Sequence, residues 1–307
     1  MINNIQTMVN LQLNMFLMMI VGFILRKSNI IGAEGKKNIT DLVIDVVLPA
    51  NIIKAFMIEF NKELLVRFAL IFIISLLVQL VATTMASHCY NKMPDSRKKI
   101  FQYGTVCSNA GFMGNVVAEQ VFGTMGLAYA SIFLVPQRIV MWSAGVSYFT
   151  EGTSKKEVLK KLITHPCIIA VFIGLILMFT QLPLPGFLED SITAISGSCT
   201  FLSMMLIGMI LVGADLKTLF EKSIFVYSIL RLIILPFVVF VGCQIFSVDS
   251  LVTGVCTLLV AMPAGATTAI LAAKYNGDEI FASKCVVFST ALSLITTPIW
   301  SVILLSL

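Results

Sequence analysis

The chain has 307 residues, 58% of them hydrophobic and 12% charged, with a mean hydropathy of +0.97. A water-soluble domain carries about twice that charged fraction, so the composition excludes a soluble enzyme or binding module and points to an all-α polytopic membrane protein. The net charge of +5 does not announce a nucleic-acid partner, because in a membrane protein the placement of charge matters more than its sum.

At roughly 20 residues per span, ten apolar segments fit the chain, at about 7–25, 38–58, 64–89, 100–122, 125–149, 165–182, 187–213, 223–246, 250–273 and 280–306. No Lys or Arg precedes the first and no A-x-A cleavage pattern follows it, so it is expected to be a retained span. In the second, Asp45 stands four residues before Pro49 and shares a helix face with Asp41. A carboxylate at that depth is a candidate for proton or ion coupling, against which a solvated helix end weighs.

The fourth segment is interrupted by Cys107-Ser108-Asn109-Ala110-Gly111-Phe112-Met113-Gly114-Asn115, and Glu119 follows as a second coupling candidate. The fifth holds Pro136, Gln137 and Arg138 near its middle. A cation there costs at least ~2.5–3.5 kcal/mol, so Arg138 needs a partner or a cavity. Its planar fork suits a carboxylate; the alternative is an ion pair with Asp45 or Glu119.

A charged stretch, Glu151 to Lys161, then forms the longest linker and divides the chain into 1–150, a 151–164 linker and 165–307. His165-Pro166 opens the sixth segment and Pro183-Leu184-Pro185-Gly186 closes it. In the eighth, Arg231 lies five residues before Pro236 and is expected to snorkel or to cap carbonyls freed by that proline. The ninth is interrupted by Ala261-Met262-Pro263-Ala264-Gly265-Ala266-Thr267-Thr268. Trp142 and Trp300 lie toward the ends of the fifth and tenth segments, as interface anchors do. The seven cysteines fall in or beside apolar segments without a CxxC pair, which suits small buried hydrophobes better than disulfides or zinc.

The basic residues orient the segments. Sixteen of the 21 Lys and Arg fall in loops 1–2, 3–4, 5–6, 7–8 and 9–10; Lys54, Lys62 and Arg67 lie on the other side, and Arg138 and Arg231 within segments. The positive-inside rule then makes the odd loops cytoplasmic and leaves both termini outside a multi-pass cell (inner) membrane protein. Five segments per half force the halves into opposite orientations, an inverted repeat. Shifting the first half by 154 residues aligns Val106, Ala110, Gly111, Ala118, Gly123 and Ala128 with identical residues, and superimposes the two interruptions.

Paired interruptions of this kind are a pointer to a transporter's binding site. The half-helix that begins after a break offers N–H groups to an anion, and the half that ends there offers carbonyls. Asn109 and Asn115 can donate and accept, and Thr267 and Thr268 can cap the second half of the ninth segment. Gly111, Gly114, Pro263 and Gly265 shape the breaks, and Gln137 and Arg138 approach from the fifth segment. The competing reading is close helix packing by small residues, which Gly111 and Gly114 fit and Pro263 does not.

On these residues the chain resembles the auxin efflux carrier family, which includes plant auxin exporters and malate or malonate permeases. The resemblance rests on Asn109-Ala110-Gly111-Phe112-Met113-Gly114, on Met262-Pro263-Ala264-Gly265, and on Leu271-Ala272, Tyr275-Asn276-Gly277, Ser289-Thr290, Leu292-Ser293 and Thr296-Thr297-Pro298. Pro166, Gly174 and Met205-Leu206-Ile207-Gly208 fit as well. It implies two inverted five-helix repeats whose fourth and ninth helices are broken and cross, as in bile-acid symporters and sodium/proton antiporters. The family places a proline after the second glycine of the fourth-span motif; here Asn115-Val116-Val117 stands instead, so that break must rest on glycine and asparagine.

The sequence therefore reads as a secondary transporter of small organic anions such as carboxylates, working by alternating access in contact with membrane lipid. No enzymatic motif, cofactor motif or metal set is present. A proton or sodium antiporter of the same architecture and a non-transporting sensor or scaffold are the alternatives. Coupling to protons or sodium, and a homodimer, are left open.

Overall fold

Several helices begin where a side-chain cap or a proline sets the start. The computed structural model describes residues 2–145, 147–149, 156, 159–160, 163–212, 221–265, 267–275 and 277–306. Most of the 151–164 linker, Lys217, Ala266, Asn276 and the Trp142 side chain lie outside the described residues. Those described are nearly all helical, with one isolated antiparallel bridge and no strand.

In chain order the helices are α1 (Ile2–Lys27), α2 (Ala33–Leu42), α3 (Leu48–Ala55), α4 (Lys62–Cys89), α5 (Asp95–Val106), α6 (Asn115–Val140) and α7 (Pro166–Thr180). There follow α8 (Gly186–Gly197), α9 (Cys199–Leu211), α10 (Lys222–Ile229), α11 (Leu235–Ile245), α12 (Ser250–Val260), α13 (Thr267–Lys274) and α14 (Glu279–Leu305). Asn61 caps α4 by accepting from Leu64 N–H at 2.8 Å, and Asp278 caps α14 by accepting from Phe281 N–H at 2.9 Å.

Two wide turns precede prolines at matching places. A π-helical turn over Val43–Val47 joins α2 to α3 just before Pro49, and another over Leu230–Ile234 joins α10 to α11 just before Pro236. Proline lacks the N–H for the bond to the fourth preceding residue, and a looser turn absorbs the mismatch. The carbonyl freed by Pro236 is that of Leu232, and Trp300 Nε1–H donates to it at 2.9 Å. This corrects two sequence expectations. Trp300 is a buried clamp rather than an interface anchor, and the freed carbonyl is capped by Trp300 while the buried Arg231 keeps an Nε without a partner among the described residues.

Among the described residues, five stretches are long and apolar enough to cross a membrane: Lys62–Cys89, Ala110–Val140, Gly186–Ile210, Lys222–Ile245 and Glu279–Leu305. The second is not a single rod, because Gly123 sits at φ 69°, ψ −162°, a conformation open essentially only to glycine. The chain therefore turns between the fourth and fifth apolar segments. Leu80, Phe172 and Phe237 stand exposed on the outer faces of α4, α7 and α11, an arrangement that suits hydrocarbon and not water. Six of the seven cysteines are buried free thiols, and Cys89 is exposed.

The helices pack in two sets. The first comprises α1, α2, α3, α7, α8 and α9; the second comprises α4, α5, α6 and α10 to α14; contact within each set far exceeds that between them. The tightest pairing is α1 on α9, where Gly22 lies against the Met205 carbonyl and Gly208 against the Met19 carbonyl. A Cβ on either glycine would collide with backbone that cannot step aside, which is close packing by small residues.

Gly208→Leu is accordingly expected to cost about 3 kcal/mol or more, read as loss of the monodisperse peak and a lower melting temperature in detergent. Gly242→Ala, with nothing within 4 Å of the added carbon, should instead be neutral or stabilise by about 0.5–1 kcal/mol. Equal behaviour of the two variants would contradict the packing described.

Candidate functional site

The fourth-segment interruption lies between the end of α5 and a π-helical turn over Ala110–Gly114 that leads into α6. The ninth-segment interruption lies between α12 and α13. The two extended stretches face each other as an antiparallel pair centred on Ser108 and Ala264. Asn109 N–H donates to the Pro263 carbonyl at 2.7 Å, and Gly265 N–H to the Cys107 carbonyl at 3.1 Å. Residues so opposed would exchange two bonds, but Pro263 has no N–H to return. Asn109 and Pro263 are also the residues that the 154-residue shift superimposes.

Side chains fasten the crossing. Gln137 Nε2–H donates to the Ser108 carbonyl at 3.0 Å, Ala264 N–H donates to Ser289 Oγ at 3.2 Å, and the Tyr103 hydroxyl donates to Thr267 Oγ1 at 3.0 Å. The Asn109 carbonyl accepts from both Met113 N–H at 2.9 Å and Gly114 N–H at 3.3 Å. That shared acceptor is what a widened turn needs, and it makes the fourth-segment break without a proline.

The predicted substrate-site residues divide into four groups. Pro263, Gly265 and Gln137 build the crossing; a Cβ on Gly265 would sit 3.3 Å from the Cys107 and Ser108 carbonyl oxygens. Gly114 packs against the ninth segment, where a Cβ would lie 2.7 Å from Leu259 Cδ2, as the packing alternative required. Asn109 and Thr267 face a cavity of about 270 Å³.

That cavity lies between the two helix sets. The first set contributes Lys36, Thr40 and Ser203, and the second contributes Asn109, Thr267 and Ser283. Burial, with Arg26 as a second cause, lowers the Lys36 pKa from its ordinary value, and an entering anion would raise it again.

Behind the crossing stand polar groups that find no partner among the described residues: both amide atoms of Asn115, Thr268 Oγ1 and Arg138 Nη1. Asn115 and Thr268 are fully buried and Arg138 is 6% exposed. Arg138 Nη2 lies 3.7 Å from where a Gly111 Cβ would be, which places the guanidinium beside the break. Neither carboxylate offered as its partner pairs with it among the described residues. Asp45 is exposed, and Glu119 Oε2 accepts from Asn51 Nδ2–H at 3.1 Å.

Sequence reasoning did not assign Ser108, Tyr103, Lys36 or Asn51, and Ser289 stood in the motif without a role. Ser108 and Ser289 were legible as small hydroxyls beside the breaks. Tyr103, Lys36 and Asn51 carry no local signal, because their partners lie on other helices.

The chain matches the membrane transport protein family over residues 7–158 and again over 152–301. An uncharacterized transporter of Methanothermobacter thermautotrophicus is 25% identical over 298 residues, covering 95% of this chain and 97% of that protein. The uncharacterized transporter MJ1031 of Methanocaldococcus jannaschii is 26% identical over 302 residues, covering 94% and 96% respectively.

Asn115 gives a direct test of the buried polar group behind the crossing. Asn115→Leu removes two unpaired buried polar atoms, each worth about 1–3 kcal/mol, and should raise the melting temperature of the ligand-free protein in detergent. A fall would mean that the amide is hydrogen-bonded after all.

Proposed function

Because the chain belongs to the membrane transport protein family, that of the auxin efflux carriers, we propose that it is a secondary transporter carrying a small organic anion, a mono- or dicarboxylate, by alternating access. The observation that carries this reading is the cavity between the two helix sets. It ends on Asn109 and Thr267 at the crossing, with Arg138, whose Nη1 has no partner among the described residues, against Gly111 beyond.

In this reading the chain spans the cell membrane ten times as two inverted five-helix repeats, with both termini outside. The first helix set is the scaffold and the second moves against it, carrying the crossing. The wall residues Lys36 and Ser283 adjoin loops rich in Lys and Arg, so the cavity opens toward the cytoplasm. Lys36 draws the anion in, Asn109 and the Thr267 hydroxyl orient it, and Arg138 supplies the charge that a carboxylate needs in a low-dielectric site. Discrimination against neutral analogues follows, because they would leave the buried guanidinium unpaired. A proton or sodium gradient, or the membrane potential, drives the cycle. An ion antiporter would need an ionisable carboxylate at the crossing, and Glu119 is engaged by Asn51.

The test is uptake of labelled mono- and dicarboxylates into proteoliposomes under imposed proton and sodium gradients. Saturable flux of a carboxylate is expected; flux of protons or sodium alone would replace this reading with the antiporter. Arg138→Gln should weaken apparent affinity by about tenfold to a hundredfold, equivalent to losing a charged hydrogen bond of about 1.5–3 kcal/mol. Unchanged affinity in a folded variant would remove Arg138 from the site.

A further inference from the structure

One carboxylate of the second helix set reaches into the first. Glu119 follows Asn115 by one turn of α6, and its Oε2 accepts from Asn51 Nδ2–H at 3.1 Å. The same Nδ2 also donates to Ser196 Oγ at 3.0 Å. Asn51 lies on α3 and Ser196 on α8, both in the first set, whereas the side-chain bonds that fasten the crossing stay within the second. Asn51 and Glu119 each stand about one turn from the loop after α3 and the turn at Gly123, at the ends opposite Lys36 and Ser283, and Ser196 stands at the junction of α8 and α9. This link closes the side of the seam on which the cavity does not open.

Asn51 is 1% exposed, and its Oδ1 has no partner among the described residues. A buried amide oxygen without a donor costs about 1–3 kcal/mol, and here it is attached to the amide already bonded to Glu119. One proton on the carboxyl supplies the missing donor. The acid O–H then donates to Oδ1 while the other carboxyl oxygen accepts from Nδ2, giving two parallel bonds with every polar atom of the pair satisfied. A metal cation fits less well, because it needs converging oxygens and Asn51 turns its NH2 toward both the carboxylate and the serine.

The other ionisable groups around this link are few. Lys54 stands one turn further along α3, half-buried; α8 carries the exposed Glu189 and Asp190; α9 contributes the Cys199 thiol and α7 the Cys167 thiol. On α4, Arg67 pairs with Glu63 and with Asp249, the residue that precedes α12. None of these is bonded to Glu119 among the described residues.

We propose that Glu119 and Asn51 form a proton-binding site whose occupation locks the two helix sets together at the outer end. The carboxylate takes a proton from water while that end is open, the O–H···Oδ1 bond forms as it closes, and the proton returns to water when the pair parts. Proton binding thus favours the conformation in which the cavity opens beside Lys36. The proposal rests on the alternating-access reading above but not on the identity of the anion.

The experiment uses Thr40→Cys on the cavity wall, with exposed Cys89 replaced by Ser, and a membrane-impermeant maleimide on the Lys36 side. Its rate is normalised to the same thiol in denatured protein, and no substrate is added. Between about pH 8 and pH 5 the normalised rate should rise as the pH falls, by up to about tenfold per pH unit for one linked proton. Glu119→Gln offers Asn51 a permanent donor and acceptor, so its rate should be high and insensitive to pH. Asn51→Ala should be slow and equally insensitive, and serves if the first variant misfolds. A pH-independent rate in the parent, or undiminished pH dependence in both variants, would overturn the proposal. Because no flux is measured, either result leaves carboxylate transport to be decided by the uptake assay.

Discussion

Two backbone hydrogen bonds, Asn109 to Pro263 and Gly265 to Cys107, make both helix breaks tolerable. An interrupted helix inside a membrane protein leaves N–H and C=O groups that hydrocarbon cannot satisfy, at several kcal/mol each. Each break here is the hydrogen-bonding partner of the other. Neither is affordable alone, so the two halves of the chain are bound at the point where each is weakest. The direction of α6 and α13 away from the crossing follows from that single pairing, as does the position of every hydroxyl and amide clustered on it.

The same constraint explains where the molecule can move. The crossing ties α5, α6, α12 and α13 into one body, and the Ser108–Gln137 and Ala264–Ser289 contacts stiffen it. In the first set, glycines bring α1 and α9 into backbone contact, which leaves little room for sliding within that body. Between the two bodies lie a cavity and mainly apolar side chains, with Asn51–Glu119 as a polar link. Packed interiors resist continuous deformation, so displacement concentrates at a seam with few specific bonds. In the proposed cycle, a substrate site on that seam would be exposed or closed by rigid-body motion.

The helix positions were legible in the sequence because their causes are local. The runs of small residues marked the breaks, whereas the wide turns before Pro49 and Pro236 and the caps Asn61 and Asp278 emerged only in the structure. The missing proline of the fourth segment was also readable, but not its replacement by a carbonyl that serves two N–H groups. What the sequence left hidden was partnership. Gln137 read as a ligand, and its bond to the Ser108 carbonyl could not be foreseen; Trp300 read as an interface anchor and holds the carbonyl freed by Pro236. Asn51 went unnoticed because its partners are 68 and 145 residues away. Local chemistry says what a side chain can bond, and only the fold says which partner arrives first.

Satisfaction at the crossing is divided between backbone and side chains. The Asn109, Ala264 and Gly265 N–H groups find partners, whereas Asn115, Thr268 and one Arg138 nitrogen do not among the described residues. Evenly poor packing would leave both kinds of group unmet. Backbone groups hold the architecture in every state of a working cycle, so their bonds must be permanent. Side-chain groups left unmatched at about 1–3 kcal/mol each raise the free energy of the empty site relative to the filled one. In the proposed transporter, that difference would favour a complementary anion over a neutral molecule of the same shape. A protein that balanced every polar atom here would be more stable and less selective.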